Sequence, residues 1–252
     1  MHFLFGGRGH GGKSMEDIQL LNGDCLELMK DIPDNSTDLI VTDPPYKINS
    51  NGFKAKGGFL KDRKVIDDIK GIKDGFDFKM LDEMIRISKK INMYIYCNKD
   101  LLFELIVYFK QRKEKLFMDI LCEHITNPTP FCNTTYLNDT DYILYVRESG
   151  VKVVGNYHNK IKWCTKKTNK EDKKKYQHPT PKYVHLLEKY IRNSSDENGI
   201  VLDPFMGSGT TGVACINTNR KFIGIELDEN YYDIANKRIE EAKINASSFC
   251  LA

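Results

Sequence analysis

The chain has 252 residues and a formal net charge of +3 at pH 7, so it suits one α/β domain with insertions and permits a polyanionic partner without demanding one. Seven cysteines without a C-x-x-C pair argue against a disulfide framework and against a zinc cluster, and favour a reducing compartment. No apolar run reaches the length of a membrane span, and the N-terminus lacks the apolar segment of a signal peptide, so we expect a soluble, cytoplasmic protein.

The first motif along the chain is Gly7-Arg8-Gly9-His10-Gly11-Gly12-Lys13-Ser14, which matches the phosphate-binding pattern G-x-x-x-x-G-K-[ST]. That loop normally opens a helix and has a core sheet behind it. Here no helix is predicted, because residues 15–17 lead directly into an extended segment. We therefore interpret residues 1–14 as a glycine-rich N-terminal appendage and residues 15–252 as one domain. A P-loop nucleoside triphosphatase is the alternative from another class.

A strand, a helix and a second strand follow, over residues 18–21, 25–30 and 39–42. Interpreted as a βαβ unit, they place Asp24 and Asp43 after the carboxyl ends of two strands, where open α/β sheets bind ligands. Asp43 opens the motif Asp43-Pro44-Pro45-Tyr46, whose prolines restrict the backbone between a carboxylate and an aromatic ring. This arrangement favours a rigid catalytic loop, while an ordinary strand-to-turn exit is the alternative.

Residues 47–77 are rich in glycine and lysine and lack periodicity, so they predict a long loop, either a solvated connection or a lid over substrate. Helices are then predicted over 78–90 and 101–109, and strands over 91–96, 117–125 and 142–146. Lysines cluster around Trp163 between residues 151 and 177, a composition that suits phosphate contacts and base stacking. We interpret residues 127–177 as a small basic contact region, with a disordered charge run as the alternative.

The last part of the chain reads as a nucleoside-binding unit. Thr180 is predicted to cap a helix with Pro181 in its first turn, and a strand follows over 199–202. That strand leads into a glycine-rich turn at 203–212 and a helix. The next strand, 222–225, ends at Glu226, an acid placed to accept hydrogen bonds from ribose hydroxyls. Asp228 is predicted to cap the final helix.

Two of these motifs carry a family resemblance. Asp43-Pro44-Pro45-Tyr46 and Phe205-Met206-Gly207-Ser208-Gly209 resemble the catalytic and S-adenosylmethionine motifs of the amino-group DNA methyltransferases, and the resemblance spans residues 18–243. The catalytic motif comes first, 160 residues before Asp203, which is the order of the beta class. His178-Pro179-Thr180-Pro181-Lys182 is similar to the motif that precedes the cofactor loop in that class. The chain departs from the class at Tyr183, where a second proline is frequent, and in its short basic segment.

The resemblance implies a Rossmann-like methyltransferase fold, with a mixed, mostly parallel twisted sheet, helices on both faces and a circularly permuted motif order. It implies transfer of a methyl group from S-adenosylmethionine to an exocyclic amine of DNA. An aspartate at the head of the catalytic motif resembles adenine-N6 enzymes more than cytosine-N4 enzymes, which usually begin with serine, so cytosine-N4 is the alternative. A C5-cytosine mechanism is excluded because no Pro-Cys pair occurs.

The same resemblance assigns the site residues and partners. The catalytic residues are expected to be Asp43, Pro44, Pro45 and Tyr46. The cofactor is expected to contact Asp24, Cys25, His178, Thr180, Lys182, Asp203, Phe205, Gly207, Gly209, Thr210, Glu226 and Leu227, with Thr180 and Lys182 near its methionine end. No metal is expected. DNA is the expected partner, and a homodimer and a cognate restriction enzyme stay open.

Overall fold

The computed structural model describes residues 17–45, 76–128, 136–176 and 182–249. Several predicted features lie outside the described residues: the glycine-rich run at 7–14, Tyr46, the loop over 47–75, His178 and Thr180. The described helices are α1 (Cys25–Met29), α2 (Phe78–Ile87), α3 (Lys99–Lys110), α4 (Lys170–Tyr176), α5 (Val184–Ser194), α6 (Thr210–Asn217) and α7 (Glu229–Phe249). The described strands are β1 (Ile18–Asn22), β2 (Leu39–Thr42), β3 (Asn92–Cys97), β4 (Leu116–Ile125), β5 (Thr140–Glu148), β6 (Trp163–Lys166), β7 (Ile200–Asp203) and β8 (Lys221–Glu226).

These strands form one sheet in the order β1-β8-β7-β2-β3-β5-β4-β6. β5 runs antiparallel to both of its neighbours, and every other pairing in the sheet is parallel, so β5 alone is reversed among the described strands. The mixed, mostly parallel sheet predicted from the family resemblance is therefore confirmed. Buried strands with continuous apolar runs, such as β2, are typical of sheets covered on both faces.

One part of the predicted topology is wrong. β1 and β2 follow each other in sequence with α1 between them, but they are not neighbours in a βαβ unit, because β8 and β7 lie between them. β1 pairs instead with β8, from Ile18 opposite Phe222 to Asn22 opposite Glu226. The start of the domain is thus closed against its end, as expected for a permuted chain. The two strands still run in the same direction, so the expectation that their carboxyl ends share one sheet edge holds.

Helices cover both faces of the sheet. On one face, side chains of α1, α2 and α3, such as Met29, Met84 and Leu105, pack against alternate strand residues that include Ile40. On the other face, α5, α6 and α7 pack against the intervening residues, including Leu39 and Val41 of the same strand. The chain changes face between β2, which is followed by α2, and β7, which is followed by α6. Neighbouring strands whose connections leave in opposite directions mark the usual binding crevice of such sheets.

The basic region forms regular structure within the described residues. β6 adds an edge strand to the sheet by pairing in parallel with β4, from Cys122 opposite Trp163 to Ile125 opposite Lys166. A 3₁₀ helix (His158–Lys160) precedes this strand and α4 follows it. The alternative of a disordered charge run is therefore wrong for this part of the chain.

The start of α5 also differs from the sequence prediction. The helix begins at Val184, its N-cap is Tyr183, and no side chain supplies the capping hydrogen bond. Thr180 is therefore not its cap. Tyr183 is extended, with φ −82° and ψ 126°, so the residue directly before the helix stays out of helical conformation. None of the helices within the described ranges has both the length and the apolar character of a membrane span.

Candidate active site

The two sequence motifs leave the sheet from neighbouring strands. β2 and β7 pair in parallel, with Leu39 opposite Val201 and Ile40 opposite Leu202. Asp43 directly follows β2, and Asp203 is the last residue of β7. The hydroxyl of Thr42 donates to Oδ1 of Asp203 at 2.9 Å. The structure thereby brings the catalytic and cofactor motifs together, although they are 160 residues apart in the sequence.

Asp203 lies beneath the glycine-rich turn and is only 4% exposed. Its carboxylate accepts hydrogen bonds from Thr42, from the backbone N–H of Phe205 at 3.1 Å and from the hydroxyl of Thr211 at 2.6 Å. Burial raises the pKa of Asp203 from 3.8 to about 7, against the lowering effect of these hydrogen bonds. With its oxygens engaged inside the protein, Asp203 holds the glycine-rich turn from below.

The turn after Asp203 is held open by two glycines with positive φ, Gly207 at 50° and Gly209 at 76°. The N–H of Gly207 donates to Oε2 of Glu226 at 2.8 Å, which ties the turn to the end of β8. A Cβ atom on Gly209 would lie 3.0 Å from Cβ of Ala235, so this position also permits close packing of α7. The turn then enters α6, the arrangement that presents backbone N–H groups to a ligand.

The ends of β1 and β8 place two acids side by side. The N–H of Gly23 donates to the carbonyl of Glu226 at 2.9 Å. Asp24 caps α1 by accepting from the N–H of Glu27 at 3.1 Å. Burial raises the pKa of Glu226, and burial followed by the charge of Asp24 raises the pKa of Cys25 to about 12. Cys25 is therefore a neutral, buried thiol next to the predicted ribose-binding acid.

An aromatic side chain and an exposed leucine complete the cofactor side of the site. Phe205 is partly buried, and its ring lies edge-on to that of Phe76 at a centroid distance of 6.3 Å. Leu227, directly after Glu226, is 53% exposed. Two acceptor acids, an aromatic ring, an apolar side chain and a glycine turn at a helix start form a set of polar and apolar contacts that fits an adenosine group.

The ammonium of Lys182 forms an ion pair with the carboxylate of Asp43, the predicted catalytic acid. Lys182 Nζ lies 2.9 Å from Asp43 Oδ2, with the two side chains 16% and 29% exposed. The same ammonium lies 4.2 Å from the centroid of the Tyr96 ring, at cation–π distance. Pro44 is buried and Pro45 is partly buried, so the start of the catalytic loop is packed against the sheet edge.

Sequence reasoning missed Arg238, a guanidinium on α7 that is 5% exposed. It donates to the hydroxyls of Ser208 and Thr210 at 3.2 and 2.9 Å, and its other nitrogen lies 3.4 Å from Asp172 of α4. The ring of Tyr176, also on α4, lies 4.2 Å beneath it. Arg238 therefore joins the cofactor loop to the basic region. One sequence signal could have revealed it: Arg238 lies at helical spacing from Tyr231 and Ile234, on the face expected to be buried. A buried arginine is unusual and needs hydrogen-bond or ionic partners.

In the parts of the chain that the structure describes, no three His, Cys, Asp or Glu side chains are grouped closely enough to hold a metal ion.

Comparison with known proteins finds the same type of enzyme by a family model and by sequence relatives. A family model described as DNA methylase, of the N6/N4 type, matches residues 37–237. The chain is 31% identical to the type II methyltransferase M2.LlaDCHI of Lactococcus lactis subsp. cremoris, over 90% of each chain. It is 30% identical to the type II methyltransferase M2.DpnII of Streptococcus pneumoniae, over 88% of this chain and 89% of that one.

Two solved structures are similar in fold. The crystal structure of an M1.HpyAVI–SAM complex has 27% sequence identity and a TM-score of 0.65, covering 88% of this chain and 99% of the other. The cytosine-N4-specific PvuII DNA methyltransferase has 16% identity and a TM-score of 0.66, covering 92% and 93%. At that identity the second likeness concerns the fold alone.

Proposed function

The chain belongs to the N6/N4 DNA methylase family, and from this premise we propose that it methylates the exocyclic N6 amine of an adenine flipped out of DNA. As a beta-class amino-methyltransferase it uses S-adenosylmethionine as the methyl donor. The choice of adenine rests on one observation, the aspartate at position 43 where cytosine-N4 enzymes usually carry a serine.

The residues at the ends of β1, β7 and β8 suit the proposed cofactor. Asp24 and Glu226 are placed to accept hydrogen bonds from ribose hydroxyls, and Phe205, Cys25 and Leu227 supply apolar cover for the adenine ring. The backbone of Gly207 and Gly209 allows close approach. Asp203 and Thr210 act from beneath, by fixing the turn. When bound, the cofactor supplies an electrophilic methyl group on a sulfonium.

Asp43 supplies the central chemistry in this proposal. An exocyclic amine is a weak nucleophile because its lone pair is delocalised into the ring. A carboxylate oxygen of Asp43 and the carbonyl oxygen of Pro44 accept its two N–H bonds, and these hydrogen bonds favour a tetrahedral nitrogen with an available lone pair. The carboxylate thus positions the amine for in-line attack, and the acceleration comes from orientation and preorganised acceptors. Asp43 forms no covalent bond to the base.

The base must leave the duplex before its amine can reach Asp43. Tyr46, outside the described residues, is proposed to stack on the flipped base. The basic region around β6 is proposed to contact the DNA backbone. This edge of the sheet exposes the rings of Trp163 and Tyr157, at 66% and 80%, together with the lysines at 160 and 167. The expected further partners, a second copy and a cognate restriction enzyme, stay predictions.

The experiment that tests this proposal is product identification. The protein is incubated with S-adenosylmethionine carrying a labelled methyl group and with unmethylated DNA, and the DNA is digested to nucleosides. We expect the label in N6-methyldeoxyadenosine. Label in N4-methyldeoxycytidine would keep the family assignment and overturn the choice of base.

A further inference from the structure

We propose that Lys182 is a positioning residue for Asp43: it holds one carboxylate oxygen so that the other faces the target amine. This inference rests on the proposed function, and it differs from the role near the cofactor's methionine end that the sequence motif predicts. The side chain of Asp43 is 29% exposed, and Asp43 is the residue directly after β2. The strand fixes its backbone, but the carboxylate needs a contact of its own to keep one orientation. The ion pair with Lys182 supplies that contact.

The ammonium of Lys182 is itself fixed from several sides. Asp43 Oδ2 lies 2.9 Å from Nζ, and the face of the Tyr96 ring lies 4.2 Å away. The charge of Lys182 also acts on a second carboxylate, Asp141. Burial alone would raise the pKa of Asp141, but the charges of Lys182 and Lys166 lower it. A cation held between the carboxylate of Asp43 and an aromatic face has little freedom, and it can transmit that order to Asp43.

The ring beneath Lys182 is anchored in the core. The hydroxyl of Tyr96 donates to Oε1 of Glu123 at 2.7 Å, and Tyr190 donates to the same oxygen at 2.8 Å. Lys166 pairs with the other oxygen of Glu123 at 2.6 Å, and Glu123 is only 1% exposed. Each polar group in this network has a partner, which makes it a rigid support. Lys182 therefore packs on a ring whose hydrogen-bond network extends from β3 to the edge strand β6.

The proposed chemistry needs different tasks from the two carboxylate oxygens of Asp43. An ionised aspartate offers two oxygens with about four acceptor positions. With Oδ2 held by Lys182, Oδ1 keeps its acceptor positions for the N–H of an incoming base. An aspartate free to rotate would present this oxygen for only part of the time. The loss of Lys182 should therefore reduce the rate of methyl transfer much more than the affinity for either substrate.

β2 provides a matched control at its other end. Asp38 precedes the strand and pairs with Lys89 at 2.7 Å, as Asp43 follows the strand and pairs with Lys182. The Lys89 pair lies at the amino end of β2, and its acid also accepts from the N–H of Ile200 at 2.9 Å. Replacing Lys89 by Met removes an aspartate–lysine pair from the same strand and leaves the carboxyl edge untouched.

The test compares wild type, Lys182→Met, Lys182→Arg and Lys89→Met in methyl transfer to unmethylated DNA, with the affinity for S-adenosylmethionine measured by calorimetric titration. Because small misplacements of a reacting group cost about 100-fold in rate, we expect kcat of Lys182→Met to fall by about that factor. The dissociation constant of the cofactor should stay unchanged. Lys182→Arg keeps the charge and the donors and should recover much of the lost kcat. Lys89→Met should keep the wild-type kcat.

An active wild type with an equally active Lys182→Met variant would overturn this inference and leave the proposed function standing. Weakened cofactor binding by Lys182→Met, with normal kcat at saturating cofactor, would also overturn it and assign Lys182 to the cofactor site. A wild type that methylates no base of DNA would overturn the proposed function and this inference with it. Thermal unfolding of each variant separates a loss of rate from a loss of folded protein, and the arginine variant preserves the ion pair if the methionine variant does not fold.

Discussion

The hydroxyl of Thr42 donates to Oδ1 of Asp203 across 2.9 Å, and this hydrogen bond joins the residue before the predicted catalytic motif to the first residue of the glycine-rich turn. Both side chains are buried, Thr42 at 2% and Asp203 at 4% exposed. A buried hydrogen bond between the ends of neighbouring strands fixes how far each strand extends towards the carboxyl edge of the sheet. The distance between the loop that begins at Asp43 and the glycine-rich turn is thus set within the core, beneath the proposed active site.

Asp203→Asn should change how stability depends on pH. The pKa of Asp203 rises from 3.8 to about 7 on folding, because burial disfavours its charged form. Between these values the folded protein binds more protons than the unfolded chain, so this residue makes stability fall as pH rises, up to about pH 7. Asparagine removes that contribution and still offers an acceptor to Thr42. The midpoint of thermal unfolding of the variant, relative to wild type, should rise across this range and level off above it. A constant difference from acid to neutral pH would contradict the account.

Arg238→Met should weaken cofactor binding, since it removes the donors that hold Ser208 and Thr210. A lost hydrogen bond to a charged group is worth about 1.5–3 kcal/mol, so an increase of about 10-fold to 100-fold in the cofactor dissociation constant is expected. Arg220→Met is the matched control, because Arg220 is 8% exposed and bonds to the carbonyls of Ser195 and Thr218, away from the loop. Calorimetric titration should show unchanged cofactor affinity for the control. Equal losses in both variants would indicate general destabilisation.

Much of the fold follows from local sequence patterns. The apolar run at 39–42 and the alternation of turns and helices around Asp203 predicted strands and helices close to those observed. The pairing of β1 with β8 did not follow from them, because strand order depends on contacts between segments more than 200 residues apart. The start of α5 was predicted too early: Thr180 and Pro181 form a sound capping pattern, but the helix begins at Val184, directly after the extended Tyr183.

The positions of the candidate site residues were predictable where a motif names them, and their roles stay predictions. Asp43, Phe205, Gly207 and Glu226 meet at one edge as their positions after strands indicated. Asp203 was predicted to contact the cofactor, and only the folded core shows that its oxygens accept hydrogen bonds from Thr42 and Thr211. Arg238 belongs to no sequence motif. Its contacts with Ser208 and Asp172 exist only in the folded chain, where α7 packs near α4 and the glycine-rich turn.

Trp163→Ala should weaken DNA binding if the basic edge strand contacts the nucleic acid. Stacking of a base on an aromatic side chain is worth about 1–3 kcal/mol, so the dissociation constant for DNA should rise by about 10-fold. Phe103→Ala is the control, because Phe103 is an equally exposed aromatic residue, at 69%, on α3 and outside the basic region. Fluorescence titration with unmethylated DNA should show a loss for the tryptophan variant only. Similar affinities for both variants would remove β6 from the DNA interface.

The most direct test of the account measures methyl transfer and cofactor binding in the same preparation of an Asp43→Ala variant. Asp43 is proposed to position the target amine, and residues after β1, β7 and β8 are proposed to hold the cofactor. Alanine at this position should therefore abolish transfer of labelled methyl groups from S-adenosylmethionine to unmethylated DNA. Calorimetric titration should give the wild-type cofactor affinity. Retained methyl transfer, or loss of cofactor binding together with activity, would contradict the division of roles between the two motifs.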